Sequence, residues 1–217
     1  MLDLPQVNYP LLVDSVSMLG YNPGMERPTS IAVFSGSSFG SSPAYREGAA
    51  ALGRKMAEEG ITLVYGGGYC GLMGAVAEAV RDGGGKVIGV LPEAMDTQSV
   101  RSKDIETELL IVPDMHERKR TMYSLSEGFI ALPGGIGTME ELMEIFTWKQ
   151  LGIHRWNIGL LNTSGYWDPM IAMLDRSVSE GFLSKAVRDT LIVEEDPGRL
   201  LARITDGNGP ELPRKLG

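Results

Sequence analysis

Short runs that are apolar throughout recur along this chain, each leading into a turn and then into a stretch with helical periodicity. The runs are "SIAVFSG" (30–36), "ITLVYGGG" (61–68), "KVIGVLP" (86–92), "LLIVP" (109–113), "FIALP" (129–133), "NIGLLN" (157–162) and "LIVEE" (191–195). A strand with one wet face alternates apolar and polar residues, so strands without that alternation belong to a sheet covered on both sides. Amphipathic helices are predicted at 42–60, 71–85, 114–128, 138–151 and 167–180, several of them stopped by glycine. Strand–helix alternation with short connections builds parallel βαβ units with right-handed crossovers. The expected fold is therefore α/β: a single-domain, Rossmann-like, doubly wound parallel sheet flanked by helices. Ligands of such sheets bind outside the carboxyl ends of the strands.

The proline-bearing residues 1–29 read as an N-terminal arm with one short helix around 11–19, residues 30–205 as the Rossmann-like domain, and 206–217 as a C-terminal tail. The 217 residues suit one domain of this kind, and a hydrophobic content of 43% is enough for a sizeable core. A net charge of -8 argues against nucleic acid as a partner, because phosphate-backbone affinity needs a basic surface. The N-terminus shows no basic leader or cleavage pattern, and no window approaches ~20 uninterrupted apolar residues, so a membrane partner is not expected. With Cys70 as the single cysteine no internal disulfide forms, and a reducing, cytoplasmic location is expected. Cys70 itself is expected to be a buried, inert thiol, since no histidine stands near it in sequence. His116 and His154 fall in no zinc-binding pattern, and no metal site is expected.

Four segments fall at the carboxyl edge: "SGSS" (35–38), "GGGYCG" (66–71), "PEAMDTQSVRSKD" (92–104) and "PGGIGT" (133–138). Glycine lets the backbone approach a ligand closely, and a helix N-terminus offers unpaired N–H donors to an anion. Gly36, Ser37, Gly67, Gly68 and the turn Gly134, Gly135, Ile136, Gly137 and Thr138 are thus candidates for holding a phosphate-bearing ligand. The spacing is neither a dinucleotide fingerprint nor a Walker loop. Tight turns alone also explain each cluster. Carboxylates follow at once, and they would repel an anion. Thr138 and Glu141 match a capping box, Met139, Leu142, Met143 and Phe146 form the expected core stripe, and Glu140, Glu141 and Glu144 fall off it, Glu140 and Glu144 as on a solvated acidic face. "DMHERKR" (114–120) also opens at the carboxyl edge, which places Arg118 and Lys119 near any anion held there. Tyr65, Trp148 and Trp156 read as core or interface residues.

"MHERK" and "PGGIGTMEE", with "YGGGYCGLMGAVA" upstream and "TWKQLGIH" downstream, resemble the LONELY GUY (LOG) family of cytokinin riboside 5'-monophosphate phosphoribohydrolases. The resemblance runs from about Ile31 to Phe182. It implies hydrolysis of the N-glycosidic bond of an N6-modified AMP, giving free base and ribose 5-phosphate, with no metal or organic cofactor. It implies Arg118 and Glu141 as the catalytic pair, and Lys119, the loop Gly135 to Glu140 (with Met139) and Thr147 as nucleotide-binding positions. An ungapped reading puts Val100 where many relatives carry a binding glutamate, with Gln98 or Asp104 as substitutes if the loop is shifted. The resemblance also implies a homodimer or higher homo-oligomer, for which Trp148 and Leu151 would supply apolar contacts. An older "lysine decarboxylase" label for such sequences finds no support, because no lysine stands in a recognisable pyridoxal-phosphate setting. A broader nucleotide nucleosidase and a non-catalytic nucleotide or cofactor carrier are the alternative readings.

Overall fold

The computed structural model describes residues 27–97 and 105–206. The expected helix at 11–19, loop residues Gln98, Val100 and Asp104, and nearly all of the expected tail lie outside the described residues. Seven parallel strands form one sheet: β1 (Ser30–Phe34), β2 (Thr62–Tyr65), β3 (Val87–Pro92), β4 (Glu108–Val112), β5 (Phe129–Ala131), β6 (Ile158–Leu161) and β7 (Leu191–Glu194). Their spatial order is β4-β3-β2-β1-β5-β6-β7. All seven apolar runs read from the sequence are strands of this sheet.

Successive residues along a strand point to opposite faces, and each face here has its own core. Ile31 and Val33 of β1 face a core shared with α1 (Pro43–Glu58), α2 (Gly71–Asp82) and α7 (Pro197–Thr205). Ala32 and Phe34 face the opposite core, closed by α3 (Met115–Ser124), α4 (Ile136–Leu151), α5 (Asp168–Ser179) and α6 (Lys185–Arg188). Helix α7 is absent from the sequence-based reading. It follows the last strand, opens with Asp196 accepting from the Arg199 N–H at 2.7 Å, and buries Leu200, Leu201 and Ile204. Residues 27–29, read as the end of the arm, are tied to the domain. Arg27 pairs with Glu59, and the Thr29 N–H donates to Glu127 at 2.8 Å.

The carboxyl end of α4 is closed by two bases, Lys149 buried and His154 partly buried. The Lys149 ammonium donates to the carbonyls of Arg155 (3.2 Å) and Trp156 (2.7 Å), and burial lowers its pKa to about 8. His154 Nε2 lies 2.8 Å from the Ile145 carbonyl, beside the Phe129 ring, and burial lowers the imidazole pKa to about 4. Unfolded, this ring takes a proton near pH 6.5; folded, it does so only near 4. Between those values the unfolded chain binds more protons, so His154 makes stability fall as pH drops through the window. His154→Gln is expected to be less stable than the parent near neutral pH. Urea unfolding should show that gap narrowing by about 1–2 kcal/mol on approaching about pH 4.5, discounted for the ring's partial exposure.

Candidate active site

The chain lays down β1 to β4 towards one side of the sheet and β5 to β7 towards the other, so the winding reverses between β1 and β5. Such a reversal opens a crevice at the carboxyl edge. Two glycine turns face each other across it. The Gly36 N–H donates to the Pro133 carbonyl at 3.0 Å. A Cβ on Gly134 would meet Thr138 Oγ1 at 2.2 Å and the Gly36 nitrogen at 2.8 Å, so only glycine permits this approach. The cavity beside them measures about 340 Å³ and is lined by Gly36, Ser37, Tyr45, Gly134, Gly135 and Tyr166, among others.

Helix α4 starts earlier than the capping-box pattern suggests. Gly135 is its N-cap, in extended conformation and without a side-chain cap, which puts Thr138 inside the first turn. The N–H groups of this first turn have no carbonyl a turn before them. Its buried face is Thr138, Glu141, Leu142, Ile145, Phe146 and Lys149. The expected stripe therefore holds at Leu142 and Phe146 but not at Met139, which is 40% exposed, and Glu141 lies on the buried face rather than off it. The reason is a partner on the neighbouring helix.

That partner is Arg118. Helix α3 is capped by Asp114, whose carboxylate accepts from the His116 and Glu117 N–H groups at 2.8 and 2.9 Å. One turn later the Arg118 guanidinium reaches inward: Nη1 donates to Glu141 Oε1 at 2.8 Å and Nε to the Val90 carbonyl at 3.2 Å. Both side chains of the pair are only 11% exposed. Gly66, at the end of β2, makes the space, because a Cβ there would fall 2.1 Å from Arg118 Nη2. Burial holds the Glu141 carboxyl above the usual carboxylate range, and the charge and hydrogen bond of Arg118 pull against that.

A second cluster flanks the pair. Lys119 is ion-paired with both Glu140 and Glu144, the latter at 2.9 Å, and the Tyr123 hydroxyl donates to Glu144 at 2.8 Å. Glu140 and Glu144 are thus not a merely solvated face. Burial alone would lower the Lys119 pKa; the two carboxylates outweigh it and raise it. Burial, with Glu144 adding to it, drives the Tyr123 phenol far above its ordinary value.

The remaining sequence candidates divide. Ile136 (86% exposed) and Met139 stand open on the first turn of α4, and Gly135 and Gly137 have open space around them. Gly67 has φ of +72° and packs against Val90 and Leu91, which is reason enough for glycine there, while Gly68 lies against Met73. Thr147 is exposed and donates to its own helix at the Met143 carbonyl (2.7 Å), about 9 Å along the axis from Glu141. Cys70 is exposed, contrary to the expectation of a buried thiol, because it caps α2 at the open edge of the sheet. Tyr166 reaches this site without having been anticipated. Among the described residues, no group of three His, Cys, Asp or Glu side chains could hold a metal ion.

A family model described as "Possible lysine decarboxylase" matches residues 73–204. A rice protein, "Probable cytokinin riboside 5'-monophosphate phosphoribohydrolase LOG4", is 42% identical over 92% of this chain and 84% of its own length. The Arabidopsis thaliana "Cytokinin riboside 5'-monophosphate phosphoribohydrolase LOG7" is 46% identical over 84% of this chain and 83% of its own. Among solved structures, the molybdenum cofactor binding protein of Rippkaea orientalis superposes with a TM-score of 0.63 at 22% identity, covering 84% of this chain and 98% of that one. This likeness shows the fold alone.

The space at Gly66 gives a direct test of the buried pair. Gly66→Ala should displace the guanidinium and cost on the order of 3 kcal/mol in urea unfolding, as breaking a buried ion pair does. Gly135→Ala, where an added methyl meets nothing within 4 Å, should cost far less.

Proposed function

This chain belongs to the LOG family of cytokinin riboside 5'-monophosphate phosphoribohydrolases, and we propose that its buried Arg118–Glu141 pair is the reaction centre of that activity. The enzyme hydrolyses the N-glycosidic bond of an N6-modified adenosine 5'-monophosphate, releasing the free base and ribose 5-phosphate. The observation that carries the assignment of the centre is a buried carboxylate, paired with arginine, on the helix whose open N-terminus follows the Gly134–Gly135 turn.

In this reading the 5'-phosphate takes the first-turn N–H groups of α4, where unpaired donors and the helix dipole favour an anion. Thr138, buried against Gly134, shapes the turn. The carboxylate of Glu141 faces the ribose. As the bond from C1' to the base nitrogen breaks, the bonding electrons leave with the base and positive charge builds on the sugar. A fixed carboxylate stabilises that charge and takes a proton from the water whose oxygen adds to C1'; the same proton then passes to the departing base, which restores the carboxylate. Arg118 holds Glu141 in place and favours its ionised form against burial. The acidic residues that follow the glycine turn repel the phosphate less than their number suggests, because Arg118 offsets the charge of Glu141 and Lys119, shared between Glu140 and Glu144, offsets one of their two.

The enzyme acts as a homodimer or larger homo-oligomer in the cytoplasm. The half-exposed Ile153 at the end of α4 supports an apolar contact there, and no described helix is long and apolar enough to cross a membrane.

Glu141→Gln should lower turnover by about 100-fold or more while nucleotide binding persists; turnover like the parent's would return Glu141 to a purely structural role. Because burial raises the Glu141 pKa, the acidic limb of kcat/KM should lie above the ordinary carboxylate range. Activity falls as pH drops through it, and Arg118→Gln should move that limb to still higher pH among whatever activity remains. Chromatography of the products from isopentenyladenosine monophosphate and from AMP separates the readings. Preferential release of isopentenyladenine is expected; equal cleavage of AMP would mark a broader nucleosidase, and binding without cleavage a carrier.

A further inference from the structure

Tyr166 sits at the carboxyl end of β6, next to β5 in the sheet, in a turn built with unusual backbone. Ser164 has φ of 55° and Gly165 φ of 70°, two left-handed residues in succession, of which the first is the only described non-glycine residue with positive φ. A non-glycine residue in that region costs on the order of 1 kcal/mol and persists only where its surroundings impose it. Asn162, buried, imposes it here: its Oδ1 accepts from the Trp167 N–H at 2.7 Å and its Nδ2 donates to Asp168 at 2.8 Å. The turn aims Tyr166 at the neighbouring loop. The phenol ring meets Tyr45 edge-on, centroids 5.8 Å apart, and its hydroxyl donates to the Gly134 carbonyl.

Two successive carbonyls of the glycine turn are therefore tied down from different strands: Pro133 by the Gly36 N–H and Gly134 by Tyr166. In a planar trans peptide the carbonyl and the N–H of the next residue point in opposite directions. Fixing the Gly134 carbonyl thus fixes the direction of the Gly135 N–H, at the entry to α4. Glycine without such a tie would let that peptide rotate at little cost.

We propose that Tyr166 is a positioning residue for phosphate recognition: its hydroxyl orients the Gly134–Gly135 peptide, and so the backbone donors that receive the substrate's 5'-phosphate. This rests on the reading that the turn binds phosphate. It also explains why a strained turn is kept at the end of β6, where it contributes no group to Arg118 or Glu141.

The test is Tyr166→Phe, which keeps the ring and removes only the hydroxyl. Four quantities are measured in parent and variant: KM and kcat for isopentenyladenosine monophosphate, the inhibition constant of ribose 5-phosphate, and that of isopentenyladenosine, which lacks the phosphate. The expected result is a roughly tenfold rise in KM and in the ribose 5-phosphate constant, the effect of one oriented hydrogen bond. The kcat and the isopentenyladenosine constant should stay within about twofold. Equal weakening of all ligands, or no change, overturns the proposal. A parent enzyme that ribose 5-phosphate does not inhibit, and that binds riboside as well as its monophosphate, instead defeats the phosphate reading beneath it. Should Y166F fail to fold, Tyr45→Leu loosens the ring while keeping the hydroxyl; the same split, smaller, is expected, and its absence overturns the proposal.

Discussion

Holding an arginine and a carboxylate together out of water is the constraint around which this edge of the sheet is arranged. Desolvating two charges costs several kcal/mol, which their attraction offsets only with good geometry and further hydrogen bonds. The 2.8 Å contact between Arg118 and Glu141 meets the first condition, and the Val90 carbonyl on Arg118 Nε contributes to the second. Gly66 is bare because the guanidinium occupies the space a side chain would take. Helix α4 is rotated so that Glu141, not Met139, turns inward. A pair kept in this way is worth little as a source of stability. In the proposed mechanism its value is a carboxylate held in place by Arg118, whose charge favours the ionised form against burial.

The neighbouring turn shows the same logic applied to backbone. An anion site needs N–H groups with fixed directions, and glycine, which permits the approach of Gly36 to Gly134, also permits rotation. Ties from β1 and from the turn after β6 remove that freedom. Negative side chains and the proposed site for a negative ligand lie within two turns of one helix, where Lys119 and Arg118 offset two of the three carboxylate charges. The net charge of -8 thus says little about whether the crevice accepts a phosphate.

The same sheet occurs in proteins far from this one in sequence. The molybdenum cofactor binding protein shares the architecture at 22% identity, and that likeness says nothing of chemistry. Function on such folds resides in particular residues, and those proposed here are the side chains and turns gathered where the winding of the sheet reverses.

Much of this was legible in one dimension. Seven apolar runs without alternation announce a covered parallel sheet, and the glycine turns announce its carboxyl edge, because both signals arise from local chemistry. Arg118 and Glu141 were nameable through the motifs around them, but their burial was not. A hydrophobic stripe cannot show that a carboxylate faces inward when the residue that permits it stands 23 positions away. The capping box failed for a different reason: Thr138 and Glu141 have the right spacing, yet Gly135 had already started the helix. Helix α7 and the exposure of Cys70 also depend on neighbours distant in sequence. Tyr166 carried no signal, being one tyrosine in an ordinary turn, and it matters only because β6 lies beside β5. The sequence by itself determined the layers, the order of the strands along the chain and the edge where the glycine turns gather, since propensity, periodicity and turn chemistry are properties of short segments. Only the tertiary structure decided which charges are paired, which face of α4 is inside and what orients the glycine turn, since those depend on contacts between strands and helices that the chain brings together only when folded.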